Sequence, residues 1–199
     1  MKRLAILLGV FALPMAANAD LIVVDLEDVA ANTFLDNNSV TSQGFELAHS
    51  GSFAIVQGNS GQGATDFSGN GTNRLVSFNT SSITLSELGG STFDIFSFEG
   101  GESWVLQPHR WATQIQAVGT FVGGGITTQI FDLDLFKDPL SGMQLFTFND
   151  TFRDLLSVQF TGIGGNPDKV DLRIFWCGQR DAEIFELSPG KYHDVRQQS

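Results

Sequence analysis

The chain predicts an all-β domain of two packed antiparallel sheets, a sandwich or jelly roll, on three observations. From residue 20 onward, short runs of branched and aromatic residues alternate with Gly, Asn, Ser and Thr clusters, the pattern of strands joined by turns. Several runs alternate with period two. Phe131, Leu133 and Leu135 fall on one side with Asp132 and Asp134 on the other; Leu156, Val158 and Phe160 oppose Ser157 and Gln159. One dry and one wet face is the mark of antiparallel sheets covered on one side. Third, the chain carries 18 phenylalanines in 199 residues, which call for a broad apolar interior. Ten or so short strands in one domain imply a sandwich.

Taken in order, the elements begin with a leader. Lys2 and Arg3 precede an apolar run from Leu4 to Leu13, and Ala17-Asn18-Ala19 supplies the small-x-small pattern of a cleavage site. A membrane span needs about 20 apolar residues. Residues 1–19 are therefore expected to be a signal peptide, with the mature chain starting at Asp20 outside the cytoplasm. Strands are expected near 21–27, 44–49, 52–57, 74–78, 82–85 and 91–98. A second set follows near 111–122, 126–136, 143–149, 155–161 and 170–176. Val122-Gly123-Gly124-Gly125-Ile126 reads as a hairpin turn, since glycine enters positive φ freely. Residues 57–73 form a long polar, Gly-rich loop, a length usually reserved for functional or mobile segments. From Gly178 the strand rhythm is lost, so the β-sandwich domain is expected over 20–177 and an irregular tail over 178–199.

Length, charge and cysteine set the bounds. Without its leader the chain keeps 180 of its 199 residues, which suits one domain. A domain of that size buries about 70% of its unfolded surface and needs no staple. Cys177 is the only cysteine, so no intrachain disulfide forms, and a buried small hydrophobe is a better reading of it than a nucleophile. All 22 acidic residues lie beyond residue 19 against nine of the 11 Lys and Arg, a mature net charge of −13. A phosphate backbone is repelled, which argues against nucleic acid; an anionic membrane surface is disfavoured for the same reason.

Catalytic and metal motifs are sparse. No G-x-S-x-G occurs; Gly58-Asn59-Ser60-Gly61-Gln62 lacks the final glycine, and only His49, His109 and His193 could serve as a base. Zinc spacings are missing. Asp132, Asp134 and Asp138 imitate the start of an EF-hand loop, but Lys137 and Met143 stand where Gly and Glu are needed. Glu99 and Glu102, in a loop near Trp104, are the only glycosidase-like pair singled out. The Gly-rich runs lack the Lys-Ser/Thr and the helix that phosphate binding requires. The strongest binding candidate is Glu99–Trp111, which gathers Trp104, His109, Arg110 and Trp111; flat aromatic faces stack on sugar rings while polar neighbours bond hydroxyls. The competing reading puts Trp104 and Trp111 in the core, Trp111 more so because it opens an alternating strand.

The order of motifs resembles a known family. Gly44-Phe45-Glu46-Leu47 is followed by Gly69-Asn70-Gly71-Thr72-Asn73, then Gly89-Gly90-Ser91-Thr92-Phe93-Asp94. Val118-Gly119-Thr120-Phe121-Val122 leads into the triple glycine; Thr128-Gln129-Ile130-Phe131-Asp132-Leu133, Phe146-Thr147-Phe148 and Leu156 to Gly162 complete the series. The succession, over about residues 20–176, resembles the extracellular β-sandwich region of bacterial PEP-CTERM proteins, cargo of the exosortase sorting system. The resemblance implies a galactose-binding-like jelly roll, exported by a Gram-negative bacterium to its cell surface and exopolysaccharide matrix. By analogy with galactose-binding-like jelly rolls, it also implies a structural calcium ion held by Glu27 and Asp171, with Asp25 beside them; solvated strand-edge acids are the competing reading. The departure is at the C-terminus. Val170-Asp171-Leu172-Arg173-Ile174 stands where the last strand belongs, and no Pro-Glu-Pro motif or second apolar span follows. No transmembrane anchor is expected in the mature chain, and a lost or frameshifted sorting signal would account for the charged tail.

The expectation is a secreted, non-catalytic β-sandwich protein of the cell surface or exopolysaccharide matrix that binds glycan. A secreted polysaccharide hydrolase or lyase and a purely structural matrix protein are the alternatives.

Overall fold

The protein is described by a computed structural model over residues 21–35, 38–51, 53–58, 72–78, 81–101, 112–135, 143–165 and, as backbone, 102 and 172–179. Its strands, in chain order, are β1 (Leu21–Ile22), β2 (Thr33–Phe34), β3 (Ser39–Ser42), β4 (Phe45–Ser50), β5 (Phe53–Gln57), β6 (Arg74–Phe78) and β7 (Ser82–Glu87). They continue with β8 (Asp94–Glu102), β9 (Gln114–Phe121), β10 (Ile126–Asp132), β11 (Gln144–Thr147), β12 (Leu155–Ile163) and β13 (Leu172–Gln179). All pairings are antiparallel. One sheet, A, has the order β11-β8-β13-β6-β5-β2, with β1 also on β13; the other, B, has the order β10-β9-β12-β7-β4-β3. From β6 to β9 and again from β10 to β13 the chain crosses between sheets at every step. That is how a jelly roll places sequence neighbours on opposite walls of one core.

Alternation explains the inner walls. On β4, Phe45 and Leu47 are buried and Glu46 and Ala48 half-buried; on β7, Ile83 and Leu85 are buried between half-buried Ser82, Thr84 and Ser86. Both sheets feed a single core. Phe98 from β8 sits 5.0 Å from Phe131 of β10 and 5.1 Å from Phe160 of β12, ring centroid to centroid, and 5.1 Å from Phe146 of its own sheet. Phe148 and Phe152 extend this aromatic cluster at 4.4 Å from each other. The sandwich prediction therefore holds: the chain is all-β, with two antiparallel sheets packed over an interior rich in phenylalanine.

Three details differ from the sequence reading. First, the alternation assigned to Leu156, Val158 and Phe160 is broken by a bulge: the register of β12 against β9 shifts between Leu155 and Ser157, so Leu155 is fully buried and Leu156 only half-buried. Second, β10 ends at Asp132, and Leu135, at φ 58° and 47% exposed, does not join Phe131 and Leu133 on the dry side. Third, sheet A is not wet throughout on its outer face. Every residue of β6 is buried, and Phe53, Ile55, Val76 and Phe78 form a second apolar cluster on the side opposite the main core. The strands β2 and β3 were also missed, and the first strand is two residues rather than seven. Two to four residues are too few to show a period.

Two sets of contacts hold the sheets together at their ends. Phe93 and Leu155 exchange backbone hydrogen bonds at 2.9 Å, joining the start of β8 to the start of β12. Beside them Asp94, 6% exposed, accepts from the Asp154 backbone at 2.9 Å and lies 3.6 Å from Arg153 Nε. Arg153 donates to the carbonyls of Ile95 and Phe152, and its guanidinium sits 4.1 Å over the Phe96 ring. At the other margin Gln129 of β10 donates to the Thr147 carbonyl and accepts from the Asn149 backbone, while the Thr127 and Thr151 hydroxyls meet at 2.7 Å. These side chains tie the edge of sheet B to the β11–β12 connection. The hairpin 122–125 is as predicted, with Gly123 and Gly124 at φ 89° and 88°.

Candidate ligand-binding face

The aromatic platform Trp104, His109, Arg110 and Trp111 lies outside the described residues, as does Asp171. The segment it was drawn from is shorter than expected, because β8 runs on through Glu102. Glu99 and Glu102 are therefore strand residues, not loop residues: Glu99 pairs with Leu145 of β11 on one side and Phe175 of β13 on the other, and Glu102 pairs with Leu172. Their separation by three positions and a shared strand is not the facing pair that a glycosidase cleft needs. His49 is buried in β4 on the core side. Asp132 closes β10 and accepts from Gln114 at 2.7 Å; Asp134 lies beyond the strand, and Asp138 is outside the described residues.

Of the calcium pair only Glu27 lies among the described residues. Glu27 Oε1 accepts from the Asn73 backbone at 2.5 Å, and Asp25 accepts from the Glu27 backbone at 3.1 Å. Asn73 in turn donates to the carbonyls of Leu26 and Val29, each at 3.1 Å, so Glu27 and Asn73 lock the turn after β1. Calcium takes six to eight oxygen ligands; among the described residues, which do not include Asp171, no group of three metal-ligating side chains comes together.

Asp28 is the next brace in this turn. It accepts from Ser42 Oγ at 2.6 Å and from the Gln43 backbone at 3.2 Å, fixing the β3–β4 turn. The Ser42 hydrogen bond, opposed by burial and helped by the Gln43 backbone, holds its carboxyl below the ordinary aspartate value. A carboxylate lowered on folding contributes stability that is present above its unfolded pKa and lost as pH falls through the lowered folded value. Melting temperatures of wild type and Asp28→Asn should therefore differ near pH 6 and converge as the pH is taken down towards about 2. Parallel curves over that range would show that Asp28 contributes nothing through its charge.

The surface that sequence reasoning missed is the outer face of sheet B. Register lines its residues up in three rows across the strands. Thr120 of β9, Ser157 of β12, Ser86 of β7 and Glu46 of β4 form one row; Val118, Gln159, Thr84 and Ala48 form the next; Gln116, Thr161, Ser82 and Ser50 form the third. β10 extends them with Ile126, Thr128 and Ile130, and β3 extends the first two with Thr41 and Ser39. All are exposed or half-exposed. Hydroxyls and amides dominate these rows, small apolar groups punctuate them, and Glu46 is their only charged member, its carboxylate engaged by Ser39 Oγ at 2.5 Å; Asp132 stands beyond them at the end of β10 on the same face. Neighbouring strands lie about 4.8 Å apart and same-face residues about 6.7 Å, so the face is a regular grid of neutral donors and acceptors. The sequence shows each strand's polar side, as with Ser157 and Gln159. It does not show that these polar sides stand beside one another, because that depends on long-range register.

No family profile matches the chain, and no curated protein does. Among solved structures, the chain is similar to the F5/8 type C domain of a Bacteroides fragilis protein, at 9% identity over 69% of this chain and 95% of that one, TM-score 0.44. It is similar to the family 32 CBM of Clostridium perfringens NanJ in complex with galactose, at 12% identity over 65% of this chain and 93% of that one, TM-score 0.35. It is also similar to a CBM32-3 from a family 31 glycoside hydrolase of Clostridium perfringens, at 13% identity over 77% of this chain and 94% of that one, TM-score 0.37.

Proposed function

We propose that this protein is a secreted, non-catalytic β-sandwich that binds neutral polysaccharide at the cell surface or in the exopolysaccharide matrix of a Gram-negative bacterium. The observation that carries the binding is the near-neutral outer face of sheet B in a chain whose formal net charge is −11. A strongly acidic protein has put its carboxylates elsewhere and left a broad, flat, hydroxyl- and amide-bearing surface. Neutral hydroxyls and amides cost far less to desolvate than charges do. Val118, Ala48 and the β10 isoleucines supply apolar spots for the C–H faces of sugar rings. Export is supported by the leader pattern in residues 1–19 and by the PEP-CTERM resemblance. A non-catalytic role is supported by the occupation of the described acids: Glu27, Asp28, Glu87, Asp94 and Asp132 each accept hydrogen bonds that hold a turn or a strand end.

Affinity electrophoresis of the mature protein through gels containing a neutral glucan, galactan or mannan, with alginate as the anionic control, tests this. Retardation by a neutral polymer and none by alginate is expected. The double variant Thr84→Glu/Gln159→Glu places two carboxylates opposite each other at the centre of the face and should abolish retardation while the protein stays folded, with a small fall in melting temperature from the like-charge pair. Retention by the double variant with loss in Trp104→Ala would move the site to the aromatic segment. No retardation by any polymer would leave the purely structural reading.

A further inference from the structure

We infer that β10 is a self-association edge, through which two copies of this chain pair antiparallel and join their B sheets into one. The four sheet margins are not alike. Sheet A ends in β11, four residues, and β2, two; sheet B ends in β3, four, and β10, seven. Short edges are one of the ways proteins avoid edge-to-edge pairing; others are Lys, Pro, bulges and inward charges. β10, Ile126–Asp132, uses none of them. It has no Lys, Arg, Pro or Gly, its pairing with β9 is unbroken, and its one charge is the final Asp132.

The backbone is aligned for a second strand. Phe121 donates to the Gly125 carbonyl and Leu133 to the Thr113 carbonyl, so the odd-numbered residues of this hairpin carry the bonds between β9 and β10. Antiparallel ladders alternate, and the N–H and C=O of Ile126, Thr128 and Ile130 therefore point away from β9, where sheet B ends. Their side chains stand on the outer face, Ile126 at 66% and Ile130 at 49% exposure.

A two-fold axis at Thr128 uses all of this. It sets Thr128 opposite Thr128 of the second copy and Ile126 opposite Ile130 of the second copy, twice. The three pairs exchange about six backbone hydrogen bonds, and β-branched partners meet across the strands. Each Asp132 falls opposite Gly124 of the other copy rather than opposite a carboxylate. The uncharged edge is thus a place where two chains of net charge −11 meet with little opposing charge in contact. The remaining repulsion is long-range, so added salt should strengthen the pair.

Sedimentation velocity of the mature protein tests the inference without any polysaccharide matrix. A dimer is expected at tens of micromolar protein, increasing as salt is raised. Ile130→Lys should return the monomer by bringing a cation to the seam. Thr128→Pro should do the same by removing an outward N–H that no described residue accepts, and it supplies a second variant should Ile130→Lys fail to fold. Both are read beside melting temperatures, which should stay within a few degrees of wild type. A wild-type monomer across the concentration series overturns the inference, and so does a dimer that persists in both folded variants. Because the glycan assay reads a different property, either result stands whether or not polysaccharide binding is found.

Discussion

Phe98→Ala should cost about 3–5 kcal/mol, the range for truncating a fully buried phenylalanine. Phe98 has no exposed surface, and its ring meets Phe131, Phe146, Phe148 and Phe160 at centroid separations of 5.0–5.5 Å. Edge contacts dominate towards sheet B, at 79° with Phe131 and 69° with Phe160; tilted contacts run along sheet A, at 31° with Phe146 and 40° with Phe148. Aromatic pairs in such geometries add about 0.5–1.5 kcal/mol beyond their buried area. The neighbours come from both sheets and are held by backbone ladders, so the walls cannot close on the cavity. For a domain of this size each kcal/mol moves the melting temperature by about 2–4 °C, and a fall of about 6–20 °C is expected. Phe34→Ala is the control: at 57% exposure on β2 it should cost under about 1 kcal/mol. Equal losses in the two variants would contradict the placement of the core.

Gly51→Ala should be nearly as damaging, for a different reason. Gly51 turns the chain from β4 in sheet B to β5 in sheet A at φ 135°. A Cβ there would meet Ser81 Oγ and would lie 2.6 Å from Ser81 Cβ and 2.8 Å from Ser81 Cα. Ser81 cannot step aside easily, because its hydroxyl and its backbone N–H both bond the Phe78 carbonyl, at 2.5 and 3.2 Å. Backbone strain of about 1–3 kcal/mol adds to an overpacking cost of about 1–3 kcal/mol. Gly124→Ala separates the two contributions. Its φ of 88° is also positive, though nearer the left-handed well than the 135° of Gly51, and nothing lies within 4 Å of the added Cβ, so only the cost of a left-handed alanine, about 1–2 kcal/mol, is expected. Melting temperatures of the pair check this; a Gly51→Ala protein as stable as Gly124→Ala would show that Ser81 gives way.

Much of the fold was legible because its signals are local. The β6 segment 74–78 was read to the residue, and the hairpin at Gly123 and Gly124 followed from the conformational freedom of glycine. Strands of five or more residues with one apolar side announced themselves through alternation. The failures share a cause as well. β2 and β3 are too short to show a period. Glu99 and Glu102 belong to a strand rather than the loop expected near Trp104, since Gly100 and Gly101 between them pair with Ile174 and Arg173 inside β8. Leu155 and Leu156 are adjacent leucines, and only a bulge decides which one enters the core.

The sequence by itself determined an all-β chain with a phenylalanine-rich interior and an acidic composition, because composition, period and turn chemistry act over a few residues. The tertiary structure decided which strands are neighbours. That choice is made by pairing between residues far apart in the chain, and three consequences follow from it alone. The polar sides of β9, β12 and β7 stand next to one another as one neutral face. Sheet A is dry on both sides at β5 and β6. And β10, rather than a shorter strand, is left at the margin of sheet B with its outward hydrogen-bonding groups in line.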